Sequence, residues 1–310
     1  MEREAIMFIS DRRLLVVGID HGFSMMKTPH ATFENGVEKL GGEATLSNNT
    51  LIYQGNYYKV GEGRLPLMQT KTENENYFLL TLAAIAKEMD IYQQCKADVI
   101  LAVGLPFNRF GKEKDDFYRY LLREDSIQFN YSGKNYEIQI IDVYVFPQCY
   151  AAIADKLREY GRENLIVDIG SKTIDVIHTR NYVPVESEST SIPAALIQCM
   201  EGIKSNVYQN CNRRVSEDMI QQMILEKDVN IPTDCKVIIK AGLADFAKGM
   251  EAKLAELGFD LEMFTVIYAG GGAMLMKNYG TLKGANIHYL EDIRANAKGY
   301  EFLAKQKGKF

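Results

Sequence analysis

The chain has 310 residues, 46% hydrophobic and 25% charged, with 36 basic against 41 acidic side chains and a formal net charge of −5. That usage gives two ordinary domains room to bury a core each and excludes disordered and fibrous classes. The acidic balance favours no direct grip on a phosphate backbone, so any DNA would be held by a partner.

No run approaches the roughly 18 uninterrupted apolar residues of a membrane span. The opening MEREAIMFISDRR sets charge on both sides of a very short apolar patch, which predicts a cytoplasmic protein without a leader. Leu14 to Ile19 reads as an apolar strand running into DHGFSMMKT, and a polar region from 32 to 76 follows, with short strand-like pieces such as TLIYQG and YYKVGEG. NYFLLTLAAIAKEM, 76 to 89, is apolar almost all round and predicts a buried helix; ADVILAVGLP, 97 to 106, predicts a core strand stopped at Gly104 and Pro106. FGKEKDDFYRYLLRED has a charged helical pattern, and the next stretch folds as a hairpin about Ser132 to Lys134. PQCYAAIADKLREYG predicts a helix with Pro147 at its start and Gly161 as its stop.

NLIVDIGSKTIDVI then predicts two strands, Leu165 to Val167 and Thr173 to Thr179, about a tight polar bend. VPVESE reads as a further strand, and 191 to 258 as mostly helical with a break near Pro232. FTVIYAGGGAMLMKNYG reads as strand, triple-glycine turn and helix, NIHYL as a short strand, and EDIRANAKGYEFLAKQ as a closing helix. Alternating strands and helices predict α/β layers. The cysteines at 95, 149, 199, 211 and 235 are odd in number and lack a CxxC spacing, and the four histidines show no metal-ligand pairing. The linear pattern thus suggests neither a disulfide framework nor a zinc ribbon, and no protein-held transition metal.

LLVVGIDHGFSMMK and NLIVDIGSKTIDVI use one device twice: an apolar strand, an Asp, one or two residues, a Gly, then hydroxyl or amine side chains. One copy alone is an ordinary turn. Two copies half a chain apart, with YAGGGAM after a third strand, make a specific set, because glycines at strand ends let backbone N–H groups approach phosphate oxygens. No GxxxxGK[ST] occurs, which excludes a Walker-type ATPase.

With these motifs the sequence resembles the actin, DnaK-type chaperone and sugar kinase superfamily, whose two phosphate loops, connecting helix and adenosine loop appear in order. It looks most like the bacterial actin-like proteins of the ParM and StbA group, through IDHGFSMMK, VFPQCYAA, VDIGSKTIDV, YAGGGAML and EDIRANAKGYEF. The resemblance implies an α/β actin-like ATPase fold, with two RNase H-like domains around a nucleotide cleft and a smaller inserted lobe in each. Domain I would be 1–150 plus 291–310, with a lobe at 32–76; domain II would be 151–290, with a helical lobe at 195–258.

It further implies that Asp20 and Asp168 hold Mg2+ through water, and that Lys27 is a point charge on the β- and γ-phosphates. Gly22, Phe23 and Ser24, with Gly170, Ser171, Lys172 and Thr173, would form two backbone cradles, and Gly270, Gly271, Gly272 and Ala273 would bed the adenosine. Gln148 would position the attacking water, since a Gln cannot take its proton; the best-known plasmid forms carry a carboxylate there. Asp175 is expected to orient its hairpin without touching ligand. The implied function is a filament-forming ATPase that polymerises with ATP, or GTP, and Mg2+, disassembles after hydrolysis, and segregates plasmid DNA. Its partners would be further copies of itself and a DNA-binding adaptor on a centromere-like plasmid site. The alternative is a monomeric small-molecule kinase or nucleotide switch on the same fold.

Overall fold

The computed structural model describes residues 13–43, 47–66, 68–193 and 196–308. The expectation for the opening segment therefore falls largely outside the described residues. Contacts divide the chain into two units. The first comprises the described residues up to Val103, with Glu113–Val145 and the chain from Ala304; the second comprises Gly104–Lys112 and Phe146–Leu303.

The first unit is built on a nine-stranded sheet. Its elements begin with β1 (Arg13–His21), β2 (Met25–Lys27), β3 (Thr32–Glu34), β4 (Val37–Leu40), β5 (Thr50–Tyr53) and β6 (Asn56–Val60). Then come α1 (Asn76–Ile91), β7 (Lys96–Leu105), α2 (Phe107–Leu121), β8 (Ile127–Tyr131) and β9 (Lys134–Pro147). The strand order is β3-β2-β1-β7-β9-β8-β5-β6-β4. β1 and β7 run parallel, with Leu15 opposite Val99, which requires the crossover that α1 supplies. The α1 helix is buried from Tyr77 to Ala86, as its all-round apolar sequence predicts. The described strands of the polar 32–76 region join the main sheet: β3 pairs with β2, and β5 pairs with β8, so β5, β6 and β4 continue it. The β8–β9 hairpin turns at Ser132 and Gly133, both with positive φ, the backbone that a two-residue hairpin favours.

The second unit carries β10 (Glu163–Ile169), β11 (Ile174–Arg180), β12 (Val183–Pro184), β13 (Thr190–Ile192), α3 (Leu196–Cys211), α4 (Glu217–Ile224), α5 (Thr233–Glu256), β14 (Thr265–Ala269), α6 (Ala273–Tyr279), β15 (Ile287–Tyr289) and the larger part of α7 (Ala295–Gly308). Its sheet order is β12-β11-β10-β14-β15, with β13 on β11. Strand alternation sends Leu165, Val167 and Ile169 into a core with Met200, Ile239 and Leu243 of the helices. Ile166, Ile177 and Ile267 enter a smaller core on the opposite face with Cys149, Ile153 and Leu157.

Two expectations need correction. PQCYAAIADKLREYG is not an α-helix: Pro147 ends β9, and two 3-10 turns follow, Ala151–Ile153 and Leu157–Glu159. Cys149 has φ +71°, a left-handed conformation that cannot lie inside a right-handed helix, and the Gln148 amide is drawn to the carbonyl of Leu105 at 2.8 Å. In VPVESE only Val183–Pro184 is strand, a short edge piece on β11 where proline's missing N–H is tolerated. Glu186–Glu188 forms a 3-10 turn, and Thr190–Ile192 supplies the pairing instead.

Candidate functional site

In the first unit the apolar run of β1 delivers Asp20 to the end of a buried strand, directly opposite Lys27 across the β1–β2 ladder. Lys27 Nζ donates to Asp20 Oδ2 at 2.8 Å, and Asp20 is only 3% exposed. Burial alone would push this carboxyl up, but the charge and hydrogen bond of Lys27, reinforced by Lys71, outweigh it and hold Asp20 below the usual carboxylate range. Gly22 closes the turn by donating its amide to Asp20 O at 3.0 Å. A Cβ at Gly22 would stand 2.4 Å from the carbonyl oxygen of Met25, so no larger residue fits this bend.

Phe23 and Ser24 lie half-buried along the bend. The fully buried Asn35 fastens it: its amide donates to Ser24 O at 3.2 Å, its Nδ2 to Gly22 O at 3.3 Å, and its Oδ1 accepts the Leu65 amide at 3.3 Å. Sequence reasoning passed over Asn35 and Lys71, both in the polar stretch after the motif. The neighbouring His21 is also buried, with Nε2 2.8 Å from Thr81 Oγ1. Thr81 gives its own proton to Tyr77 O, so the imidazole is the donor to Thr81.

In the second unit β10 carries Asp168 one residue before its end, paired across the ladder with Asp175. Asp175 is buried and accepts a hydrogen bond from Ser191 Oγ, which fastens β13 to the hairpin. Gly170 closes its turn on Thr173 O at 3.0 Å, leaving Ser171, Lys172 and Thr173 half-buried at the tip. The first amides of α3 seat this bend, Leu196 on Gly170 O at 3.4 Å and Ile197 on Ser171 O at 3.2 Å.

The triple-glycine turn packs directly on that strand end. Gly270 has φ +76°, and a Cβ there would fall 2.1 Å from Asp168 Oδ1. A Cβ on Gly272 would strike Ile169 Cγ2 at 2.3 Å. The Gly272 amide donates to Ile169 O, and the Ala273 amide to Gly270 O, so Gly271 is the exposed residue of the turn. Two of the three glycines are therefore explained by close approach to Asp168 and its neighbour.

Asp168 is 8% exposed, and its Oδ2 accepts Asn296 Nδ2 at 2.6 Å. Asn296 Oδ1 in turn accepts the Cys149 amide at 3.0 Å. One buried amide side chain from the start of α7 thus joins the carboxylate to the turn that carries Gln148, which is half-buried. Three residues later Gly299 lets α7 press against that turn, where a Cβ would overlap the carbonyl oxygen of Ala151 at 1.7 Å. Neither Asn296 nor Cys149 stood out in the sequence. Burial and the charges of Asp168 and Asp175 push the Cys149 thiol well up, so it serves as a packed, protonated group.

These features can be set beside known proteins. Residues 18–150, which contain the Asp20 turn and Gln148, match the family described as Actin like proteins N terminal domain. Residues 166–280, which contain Asp168 and the triple glycine, match Archaeal actin homologue MreB-like, C-terminal. The chain belongs to the actin-like proteins, and its α/β architecture is the actin-like fold.

Among solved structures, the archaeal actin homologue Ta0583 in complex with ADP is 18% identical with a TM-score of 0.72, covering 94% of this chain and 99% of that one. The Alp12 filament structure is 18% identical with a TM-score of 0.71, covering 96% and 99%. ParM of Bacillus thuringiensis with AMPPNP is 13% identical with a TM-score of 0.71, covering 96% and 100%. At such identities the likeness is one of fold. No curated protein matches the chain in sequence. Among the described residues, no helix is long and apolar enough to cross a membrane.

Proposed function

We propose that the chain is a nucleotide-dependent, filament-forming actin-like ATPase that acts in plasmid DNA segregation. The observation that carries the reading is the pair of strand-end carboxylates, each at a glycine turn too tight for any side chain: Asp20 with Gly22, and Asp168 with Gly270. The donor set fits a hard cation and an anionic ligand, since carboxylate oxygens suit Mg2+, and glycine turns beside a lysine suit phosphates. Asp20 and Asp168 would attend the Mg2+ through water. Lys27 would be the phosphate-facing charge, with Gly22, Phe23, Ser24, Gly170, Ser171, Lys172 and Thr173 forming the loops and Gly270, Gly271, Gly272 and Ala273 bedding the nucleoside. When bound, the cation neutralises phosphate charge and aligns the leaving group.

The chain's own residues supply position. Lys27 keeps Asp20 ionised. Asn296 keeps Asp168 and the Gln148 turn in register, and the Gln148 amide group orients water without accepting its proton. Structural neighbours solved with ADP and with AMPPNP, and one solved as a filament, support nucleotide binding and self-association. The finer role in plasmid segregation, through a DNA-binding adaptor, rests on the motif likeness to the ParM and StbA group; the net charge of −5 suits an adaptor rather than direct DNA contact.

A difference of about 1.4 kcal/mol in subunit affinity between nucleotide states shifts the critical concentration tenfold. The protein is expected to pellet with Mg2+ and ATP above a threshold concentration and to disperse as nucleotide is spent, with GTP tested in parallel. No polymer with ATP, GTP or a non-hydrolysable analogue would retire the filament and favour a monomeric kinase.

A further inference from the structure

Within the second unit, the fold brings together side chains that the linear spacing keeps apart. Cys211 is the last residue of α3, while Asp234 and Cys235 lie in the first turn of α5, beyond the break at Pro232. The two sulfurs and a carboxylate oxygen all lie within 4.8 Å of one another. Cys235 is buried, Cys211 half-buried and Asp234 exposed, and both thiols are free of disulfides. Asp234 Oδ1 already accepts the Cys235 amide at 2.8 Å, which fixes the carboxyl beside the sulfurs. Cys235 also lines a cavity of about 360 Å³, with Arg213, Arg214 and Ile231 among its other walls.

We infer that Cys211, Asp234 and Cys235 form a binding site for a thiophilic divalent cation of the zinc class, with a fourth coordination position open to the cavity. In a tetrahedral site with metal–sulfur bonds near 2.3 Å, donors stand roughly 3.5–3.8 Å apart, so the present spacing closes with small side-chain rotations. Paired thiolates select against Mg2+ and Ca2+, which prefer all-oxygen shells. The two arginines do not oppose such a cation: each thiol gives up its proton as the metal enters, so two positive charges replace two and the net charge of the cluster is unchanged. Arginine cannot ligate the metal, which leaves water for the open position. The ion would clamp the end of α3 to the start of α5, and this role is independent of nucleotide binding.

The test uses the reduced full-length chain titrated with Co2+, followed by competition with Zn2+. One equivalent of Co2+ should produce a thiolate-to-metal charge-transfer band that Zn2+ displaces, with protons released on binding. Cys211→Ser should abolish the band, and Asp234→Ala should weaken binding while leaving the circular dichroism unchanged. These two positions are half-buried and exposed, so the test does not depend on whether a Cys235→Ser variant folds. Absence of the band in the reduced chain overturns the inference, as does a band that survives Cys211→Ser. A Cys211–Cys235 disulfide that forms in air, in a chain that takes up no metal after reduction, overturns it too and marks the pair as redox-active instead.

Discussion

Asn296 is the residue through which the candidate site can be tested without any ligand. Its amide group donates to Asp168 Oδ2 at 2.6 Å and accepts the Cys149 amide at 3.0 Å, and both bonds are buried. A hydrogen bond to a charged group contributes about 1.5–3 kcal/mol and a neutral one about 0.5–1.5, so Asn296→Ala should cost about 2–4 kcal/mol. It should also release the Gln148–Cys149 turn. Asn296→Asp keeps the shape but sets two carboxyls against each other, and such a pair retains a proton that lone carboxyls would lose. Its combined titration therefore lies above the ordinary carboxylate range, the folded state binds more protons than the unfolded state, and the variant should gain stability as pH falls from 7 towards 5. Urea unfolding at both pH values gives the energies, and hydrogen exchange over residues 146–153 reports the turn. An Asn296→Ala chain within about 0.5 kcal/mol of the parent, with unchanged exchange, would refute the linkage, since that is the range of an ordinary surface substitution.

Three further outcomes follow from the same geometry. Gly270→Ala adds a left-handed strain of roughly 1–2 kcal/mol and a Cβ 2.1 Å from Asp168 Oδ1, so binding of a fluorescent ADP analogue should weaken at least about tenfold. Gly271→Ala, with nothing within 4 Å of its Cβ, should bind as the parent does, and equal losses in both would reject the packing argument. Burial holds the His21 imidazole down to about 3, below its unfolded 6.5, so the unfolded chain binds the extra proton and stability falls as pH drops from 6.5 towards 3. The slope from this group approaches about 1.4 kcal/mol per pH unit, and His21→Gln, which can still donate to Thr81, should remove it; parallel stability curves for the two chains would show that His21 titrates normally. Gln148→Ala should slow nucleotide hydrolysis roughly ten- to a thousandfold while leaving nucleotide affinity within a few-fold, because water alignment acts on the transition state; a matching loss of affinity would mark Gln148 as structural.

Much of this arrangement is written locally and was readable. Apolar runs ending in Asp-x-Gly announce strand ends, and the turns at Gly22 and Gly270 declare themselves because only glycine fits there. The α1 helix, apolar on every side, could only be interior. What escaped prediction depends on contacts from far along the chain. The segment after Pro147 has helical composition, yet the Leu105 carbonyl and Asn296 capture its first amides and impose the left-handed Cys149. Asn35 looked like one polar residue among many because its three partners lie on a turn before it and a loop after it. Cys211 and Cys235 carry no spacing signature, since it takes the path from α3 through α4 to α5 to bring them together.

The bond between Asp168 and Asn296 spans 128 positions, and that between Cys149 and Asn296 spans 147. Chains are synthesised from the N-terminus at roughly 5–20 residues per second, so Asp168 leaves the ribosome many seconds before the residue that will hold it. During that interval the turn bearing Gln148 lacks its anchor, and Gly104 and Ala151 still await the helix that packs on them through Tyr300 and Gly299. A nascent chain therefore carries Asp168 and Gln148 in sequence but lacks the fastening between carboxylate and turn. That fastening forms only once α7 has been made and has docked.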